Sequence, residues 1–327
     1  MRKIRAPFPY YGGKYTVVDE LNRRFGDVDV RIDPFCGSAA WILASPPVKT
    51  EIINDLYADV VNAYRAVRAD PDAVAYYCDY PVSELDRLAR IWTLRETLPE
   101  RAARCAADPN WYDARAAGYY LYTVSTDIKA QPYKRGPWVV ENGKLVKRSG
   151  ADGMTKSVPG MLKSAGVAKE RYASLVAWFR QIAERLRGVF ILCGDWRRVV
   201  EPFSFGKHGV TAILIDPPYP GYEQSYAIKD TYSVWFDAAR WAVANGDNQN
   251  VRIAVCGYWT SETDAVFPAD WKRFRWRTNG GFGNLRKRGA NENRFRECVW
   301  FSPHCKRGVK QKPHPLPDGA SGLRRVV

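Results

Sequence analysis

The 327-residue sequence is poor in the groups that build metal centres. It has 3 histidines, and its 7 cysteines, at 36, 78, 105, 193, 256, 298 and 305, include no Cys-x-x-Cys pair. A His/Cys metal site is therefore not expected. Scattered cysteines in odd number also argue against a disulfide framework and for reduced thiols in a cytoplasmic protein. No run of 18 apolar residues occurs, and the N-terminal "MRKIRAPFPYYGGK" has charge but no apolar stretch, so neither a membrane span nor a secretory leader is expected. No internal repeat is visible. Acidic residues are in deficit: 50 Lys+Arg face 35 Asp+Glu, a formal charge of +15. Such a surface attracts a polyanion, nucleic acid first among them, although charge alone also allows a basic surface with no such partner.

What is present is a hydrophobic fraction of 46%, enough for a substantial core. Apolar runs at 28–32, 51–53, 189–192, 212–215 and 252–256 read as strands. Between them, Val60, Val61, Tyr64 and Val67, and again Leu175, Phe179, Ile182 and Leu186, share one helical face. Strands alternating with helices predict an α/β fold whose mostly parallel sheet has helices on both faces. Ligands of such sheets bind beyond the carboxyl ends of the strands. Distinctive motifs stand there: "DPFCGSAAW" after the first run, "NDLY" after the second, "GDW" after the third and "DPPY" after the fourth.

Residues 70–170 have a different character. An aromatic, helical "ARAAGYYLYTVSTDI" precedes a Gly-, Pro- and Lys-rich stretch at 131–166 that holds "WVVENGKLV", where Asn142-Gly143 predicts a two-residue hairpin turn. The expected organisation is a ligand-binding catalytic domain at 1–69 and 171–302, a small domain inserted at 70–170, and a basic, loosely ordered tail at 303–327.

The strand-end residues suggest chemistry. Gly37, Ser38 and Ala39 let a backbone approach a ligand, or simply permit a tight strand-to-helix turn. Asp55 suits the two hydroxyls of a ribose, or caps the helix that follows. Asp195 suits an exocyclic amine, with Trp196 against a flat ring, or is again a cap. "DPPY" is more specific. Prolines stiffen the loop and remove backbone donors, so the Asp216 carboxylate and the Pro217 carbonyl are free to accept both hydrogens of a planar amine. Tyr219 can stack on a base, a contact worth about 1–3 kcal/mol; an ordinary proline turn is the plainer alternative.

"FPYYGGK" (8–14), "DPFCGSA" (33–39), "INDLY" (53–57), "CGDW" (193–196) and "DPPY" (216–219) follow one another in this order. With them the chain resembles the Dam-type class of N6-adenine DNA methyltransferases. The resemblance implies a Rossmann-like methyltransferase fold with an inserted target-recognition domain, and S-adenosyl-L-methionine as cofactor. Tyr10 and Lys14 would line the cofactor site, Pro34, Phe35, Gly37, Ser38 and Ala39 would wrap its methionine end, and Asp55 would hold its ribose. Asp195 would read its adenine, with Trp196 beside it and Asp216 at the methyl end. Asp216, Pro217, Pro218 and Tyr219 would hold an adenine flipped out of double-stranded DNA. Two acceptors favour a pyramidal N6 whose lone pair points at the methyl group, and the carboxylate stabilises the positive charge that grows there. No metal is implied. No endonuclease motif is present, so a cognate restriction endonuclease would be a separate chain.

Two departures from the family pattern stand out. Ala39 replaces the last glycine of the usual Phe-x-Gly-x-Gly, which is harmless only if the turn needs no positive φ there. The stretch "YYLYTVSTDIKAQPYKRG" matches the family's base-reading segment poorly, so no recognition sequence is implied. Lys129, Lys134, Arg135, Lys147 and Arg148 in the insert, and Arg286, Lys287 and Arg288 in "WKRFRWRTNGGFGNLRKRGANENRFR", are expected to position DNA phosphates. Methylation of cytosine N4 in DNA or adenine N6 in RNA, and a catalytically silent DNA-binding relative, are the competing readings. Asp216 as first acceptor favours adenine in DNA, and the intact Asp216, Pro217 and Tyr219 favour activity.

Overall fold

A computed structural model describes residues 3–8, 14–80, 83–126, 138–147, 172–201, 205–220, 230–276 and 297–308. The strands are β1 (Val30–Asp33), β2 (Thr50–Asp55), the hairpin pair β3 (Trp138–Glu141) and β4 (Lys144–Lys147), then β5 (Val189–Cys193), β6 (Thr211–Ile215), β7 (Val251–Tyr258), β8 (Lys272–Arg275) and β9 (Glu297–Phe301). All but the hairpin form one sheet in the order β5-β2-β1-β6-β7-β9-β8.

The five apolar runs are the five parallel strands, and β1 and β6 are buried at every position because helices cover both faces. Their order sets the site. From β1 the chain steps outward to β2 and β5, then returns to the other side of β1 as β6. The crevice where the order reverses, beyond the carboxyl ends of β1 and β6, is where such sheets bind ligands.

The antiparallel edge made by β8 and β9 was not legible as strand. β8 reads "KRFR", charged and half exposed, and its residues fall within the basic stretch that suggests a DNA surface. β9 reads "ECVWF", wholly buried but opened by a glutamate.

The helices are α1 (Val18–Phe25), α2 (Ala40–Ala44), α3 (Ala58–Ala69), α4 (Pro71–Cys78), α5 (Glu84–Glu96), α6 (Leu98–Ala107), α7 (Ala114–Thr126), α8 (Tyr172–Leu186), α9 (Arg197–Val200), α10 (Thr231–Asn245) and α11 (Ser261–Asp264). α7 packs against α3 and α4, and both α3 and α4 pack against α8. Gly118 permits this: a Cβ there would stand 2.4 Å from the Tyr77 Cβ. The first half of the 70–170 segment therefore shares the main hydrophobic core through Val74, Leu94, Ala117 and Leu121. Its hairpin turns at Asn142 (φ 50°) and Gly143 (φ 73°), the left-handed pair that Asn-Gly favours. Among the described residues no helix is long and apolar enough to cross a membrane, and no group of three or more His, Cys, Asp or Glu is placed to hold a metal ion.

Candidate active site

At the end of β1 the chain turns sharply into α2. Cys36 N–H donates to the Asn54 carbonyl (2.9 Å), Gly37 N–H donates to Asp55 Oδ2 (3.0 Å), and the Tyr64 hydroxyl donates to the Gly37 carbonyl (3.3 Å). Gly37 (φ 45°) and Ala39 (φ 47°) are both left-handed. The condition under which alanine would be harmless, a turn without a positive φ, is therefore not met. Ala39 pays the left-handed penalty of about 1–2 kcal/mol, and its fully buried methyl returns part of that.

Asp55 ends β2 and is buried. Its Oδ1 accepts from Tyr57 N–H (2.9 Å), while α3 is capped from Tyr57 without a side-chain bond, so Asp55 is not that helix's N-cap. Gly37 and Tyr57 each supply a backbone donor to one carboxylate oxygen, Leu56 N–H adds a further one, and the carboxylate keeps acceptor capacity for a ligand. Burial lifts the carboxyl to about 6 against the pull of these amide donors. Beside it, Asn54 is 1% exposed and donates through Nδ2 to the carbonyls of Pro34 (3.0 Å) and Gly194 (2.9 Å). One side chain so ties together the loops after β1, β2 and β5, a role that the motif spelling does not reveal.

After β5, Asp195 is half exposed; its Oδ1 accepts from Arg197 N–H (2.9 Å) in a local turn and its Oδ2 lies 3.5 Å from the Arg197 guanidinium. α9 is capped from Trp196 without a side-chain bond, so Asp195 is not that helix's N-cap. Trp196 is buried, with its ring 5.9 Å from that of Phe35 and 5.9 Å from that of Trp241.

Beyond β6, Asp216 meets residues from both ends of the chain. Lys14 Nζ, on a 3% exposed side chain, lies 2.8 Å from Asp216 Oδ2 and 3.5 Å from Glu297 Oε1. The Tyr219 hydroxyl donates to Asp216 Oδ1 (3.2 Å) and reaches Glu297 Oε1 (3.5 Å). Lys14 also stands 5.4 Å from the Tyr219 ring centroid, within cation–π range. Burial pushes Asp216 and Glu297 upward against the pull of Lys14. For Lys14, burial lowers the pKa, but the two carboxylates outweigh it and hold the ammonium above its ordinary value. Glu297 is the member that no motif announced; an acid opening an otherwise apolar strand is its only signal.

These walls enclose a cleft with about 890 Å³ of open space, its mouth included. Lys14, Pro34, Phe35, Ser38, Asp55, Asp195, Trp196, Asp216 and Pro218 line it, together with Asp33, Tyr57 and Val234. Gly37 and Ala39 shape the wall from behind. Pro217 is buried, and the Tyr219 ring, 1% exposed, packs edge-on to Tyr258 at 4.9 Å rather than facing the cleft. Tyr10, Lys129, Lys134, Arg135, Arg148, Arg286, Lys287 and Arg288 lie outside the described residues, and of Lys147 only the backbone, in β4, is described.

The charge balance of the cleft is lopsided. Lys14 is the only basic residue among its described lining, against Asp33, Asp55, Asp195 and Asp216. Asp33 is 3% exposed and its Oδ1 has no hydrogen-bond partner; burial first, then Asp216 and Asp55, raise it well above the usual carboxylate range. A buried carboxylate with an orphan oxygen and acidic neighbours favours a cationic ligand. Aromatic walls for a flat ring, acceptors for paired hydroxyls and negative charge for an ammonium or sulfonium together fit S-adenosyl-L-methionine.

Residues 10–90 match the family described as D12 class N6 adenine-specific DNA methyltransferase. Over 72 residues the chain is 35% identical to the DNA adenine methylase of Serratia marcescens, covering 22% of this chain and 26% of that protein. The DNA adenine methylase of Vibrio cholerae serotype O1 is 27% identical over 73 residues, with the same shares. The chain thus spans about a quarter of the length of the curated relatives it matches. The family match takes in Lys14, Asp33 and Asp55 and stops short of Asp195 and Asp216.

Proposed function

We propose that the chain methylates adenine N6 in double-stranded DNA, from the premise that residues 10–90 match the D12 class of N6 adenine-specific DNA methyltransferases. S-adenosyl-L-methionine is the proposed donor. One observation carries the reading: Asp216, at the end of β6, opens into the same cleft as Asp55 and Phe35, at the sheet's switch point. The group suited to grip an amine and the groups suited to grip a nucleoside share one chamber.

In this reading Asp55 holds the two ribose hydroxyls with its remaining lone pairs. Trp196 lies beside the cofactor's adenine near Asp195, and Tyr10 and the 34–39 turn close on the methionine end. Asp33 faces the ammonium. Bound there, the cofactor supplies an electrophilic methyl group.

The protein's own part is to present a poor nucleophile correctly. Asp216 and the Pro217 carbonyl accept the hydrogens of N6, which turns its lone pair toward the methyl group. Asp216 then stabilises the positive charge that develops on nitrogen. Lys14 and the Tyr219 hydroxyl hold the carboxylate in place from behind, one on each oxygen. Tyr219 serves here as an anchor; stacking on a flipped base would require its ring to leave Tyr258. Lys129, Lys134, Arg135, Lys147, Arg148, Arg286, Lys287 and Arg288 are proposed to run along the DNA phosphates, a reading supported by the formal charge of +15. A cognate restriction endonuclease, where one exists, is a separate chain.

The test is methyl-labelled S-adenosyl-L-methionine incubated with unmethylated duplex DNA, followed by digestion to nucleosides. Label in N6-methyladenosine is the expected outcome. Label in N4-methylcytosine, label only when RNA is supplied, or no transfer at all would overturn the proposal.

A further inference from the structure

A second cleft opens at the opposite end of the sheet, where β5 begins and α3 and α8 end. It contains about 1260 Å³ of open space, its mouth included, and is lined by Arg65, Arg68, Arg180 and Arg187 among others. Methyl transfer at the first cleft gives these residues no task.

The four arginines are not equivalent. Arg180 and Arg187 are exposed and paired, Arg180 with Asp72 (2.5 Å) and Arg187 with Glu184 (2.6 Å). Arg65 and Arg68 meet only neutral groups among the described residues. Arg68 Nη1 donates to the carbonyl of Val189, the first residue of β5 (3.0 Å). Arg65 is 7% exposed; its Nη1 donates to the carbonyls of Cys105 (2.9 Å) and Asp108 (3.0 Å), and its Nε is buried without an acceptor.

Helix dipoles favour cations in the last turn, which accounts in part for Arg68 in α3 and Arg187 just past α8. Arg65 stands one turn further in, beyond that effect. A buried guanidinium facing carbonyl dipoles alone is an uncompensated charge, the arrangement that removal of an ion-pair partner leaves behind. Burial, and next the Arg65 charge, lower the Arg68 pKa, as two cations lacking a shared counter-ion would.

We propose that this cleft binds the phosphate group of a small anion, inorganic phosphate or a nucleotide's terminal phosphate, with Arg65 and Arg68 at its floor and Arg180 and Arg187 at its rim. Guanidinium forks match phosphate oxygens in pairs, and a recessed floor selects for size. A duplex backbone lies across a rim and does not reach Arg65; a terminal phosphate does. Bound phosphate links α3 to α8 and neutralises the two unpaired arginines, so it stabilises the folded chain by mass action.

The experiment titrates sodium phosphate into the full chain at constant ionic strength, with sodium chloride as control, following the melting temperature and the phosphorus NMR linewidth. Phosphate is expected to raise the melting temperature progressively and to broaden its own resonance, where chloride does not stabilise. Arg68→Gln, on a helix surface and away from the methyl-transfer cleft, is expected to weaken the phosphate response at least about tenfold while DNA methylation stays within about twofold of wild type. The double variant Arg180→Gln, Arg187→Gln tests the rim and stands in should Arg68→Gln fail to fold; a smaller loss than for Arg68→Gln is expected. Adenosine monophosphate displacing phosphate at lower concentration would identify the ligand as a nucleotide; equal competition would identify free phosphate. No stabilisation beyond chloride, an undiminished response in Arg68→Gln, or displacement of phosphate by a duplex lacking terminal phosphates would overturn the proposal.

Discussion

The two walls of the strand-end cleft hold their carboxylates by opposite means. On one wall Asp55 is fixed by backbone N–H groups of Gly37 and Tyr57, supplied by turns close to it in sequence or across one strand. On the other, Asp216 is fixed by side chains, Lys14 and Tyr219, with Glu297 sharing both partners. Backbone amides are neutral donors whose position depends on turn geometry. Side-chain charges compensate one another and depend on every partner being present. The first wall should therefore yield gradually to substitution, and the second should fail all at once.

The largest effect is expected from Asp216→Ala, which should lower methyl transfer to DNA by at least about a thousandfold while duplex binding, read by fluorescence anisotropy, persists. Activity within tenfold of wild type would remove Asp216 from the mechanism. Lys14→Met should cost about 3–5 kcal/mol in denaturant unfolding, because it leaves Asp216 and Glu297 buried without their cation. Adding Glu297→Gln to that variant should restore part of the loss, and strict additivity would show that the three do not act as a network. On the backbone-held wall, Asn54→Ala should cost about 2 kcal/mol, since it strips a donor from two carbonyls, and should weaken S-adenosyl-L-methionine binding by calorimetry more than it slows transfer.

A pH series separates the walls further. Asp55 titrates near 6 in the folded chain, raised from 3.8 by burial. Between those values the folded state holds a proton that the unfolded state has lost. The Asp55 contribution to stability therefore falls as pH rises through this window, and the full penalty stands above it. Holding ribose hydroxyls requires the ionised form, so cofactor affinity should move the other way and weaken as pH drops below about 6. Asp55→Asn should flatten both trends, and an unchanged affinity profile would count against Asp55 as the ribose ligand. The smallest effect is expected at Ala39→Gly. Relief of the left-handed backbone is set against a lost buried methyl and a more flexible unfolded chain, for a net change within about 1 kcal/mol.

The contrast between the walls also marks what could be read in advance. The parallel strands, α3, α7, α8 and the Asn142-Gly143 hairpin were legible because each is written in local period or local turn chemistry. Asp55, Phe35 and Asp216 were legible because a motif follows a strand, and strands in such a sheet end on one side. Asn54 was passed over because a carboxamide beside an aspartate looks like ordinary turn composition; its bonds to Pro34 and Gly194 exist only once three strands lie side by side. Lys14 was expected beside the cofactor; it lines the cleft and also pairs with the DPPY carboxylate, a partner far along the chain that nothing local in the sequence reports. Ala39 shows the limit from the other side: residue type alone left open whether the turn needs a positive φ, and the fold imposes 47° on a fully buried alanine.

The pairing of β9 with β7 has a temporal meaning. Lys14, Asp216 and Glu297 are synthesised in that order, and long-range pairing of this kind closes late in folding. Until residues 297–301 have been made and have added their strand to the edge, the Lys14–Asp216 pair lacks its third member. A nascent chain thus carries both Lys14 and Asp216 before the strand that brings Glu297 to them exists.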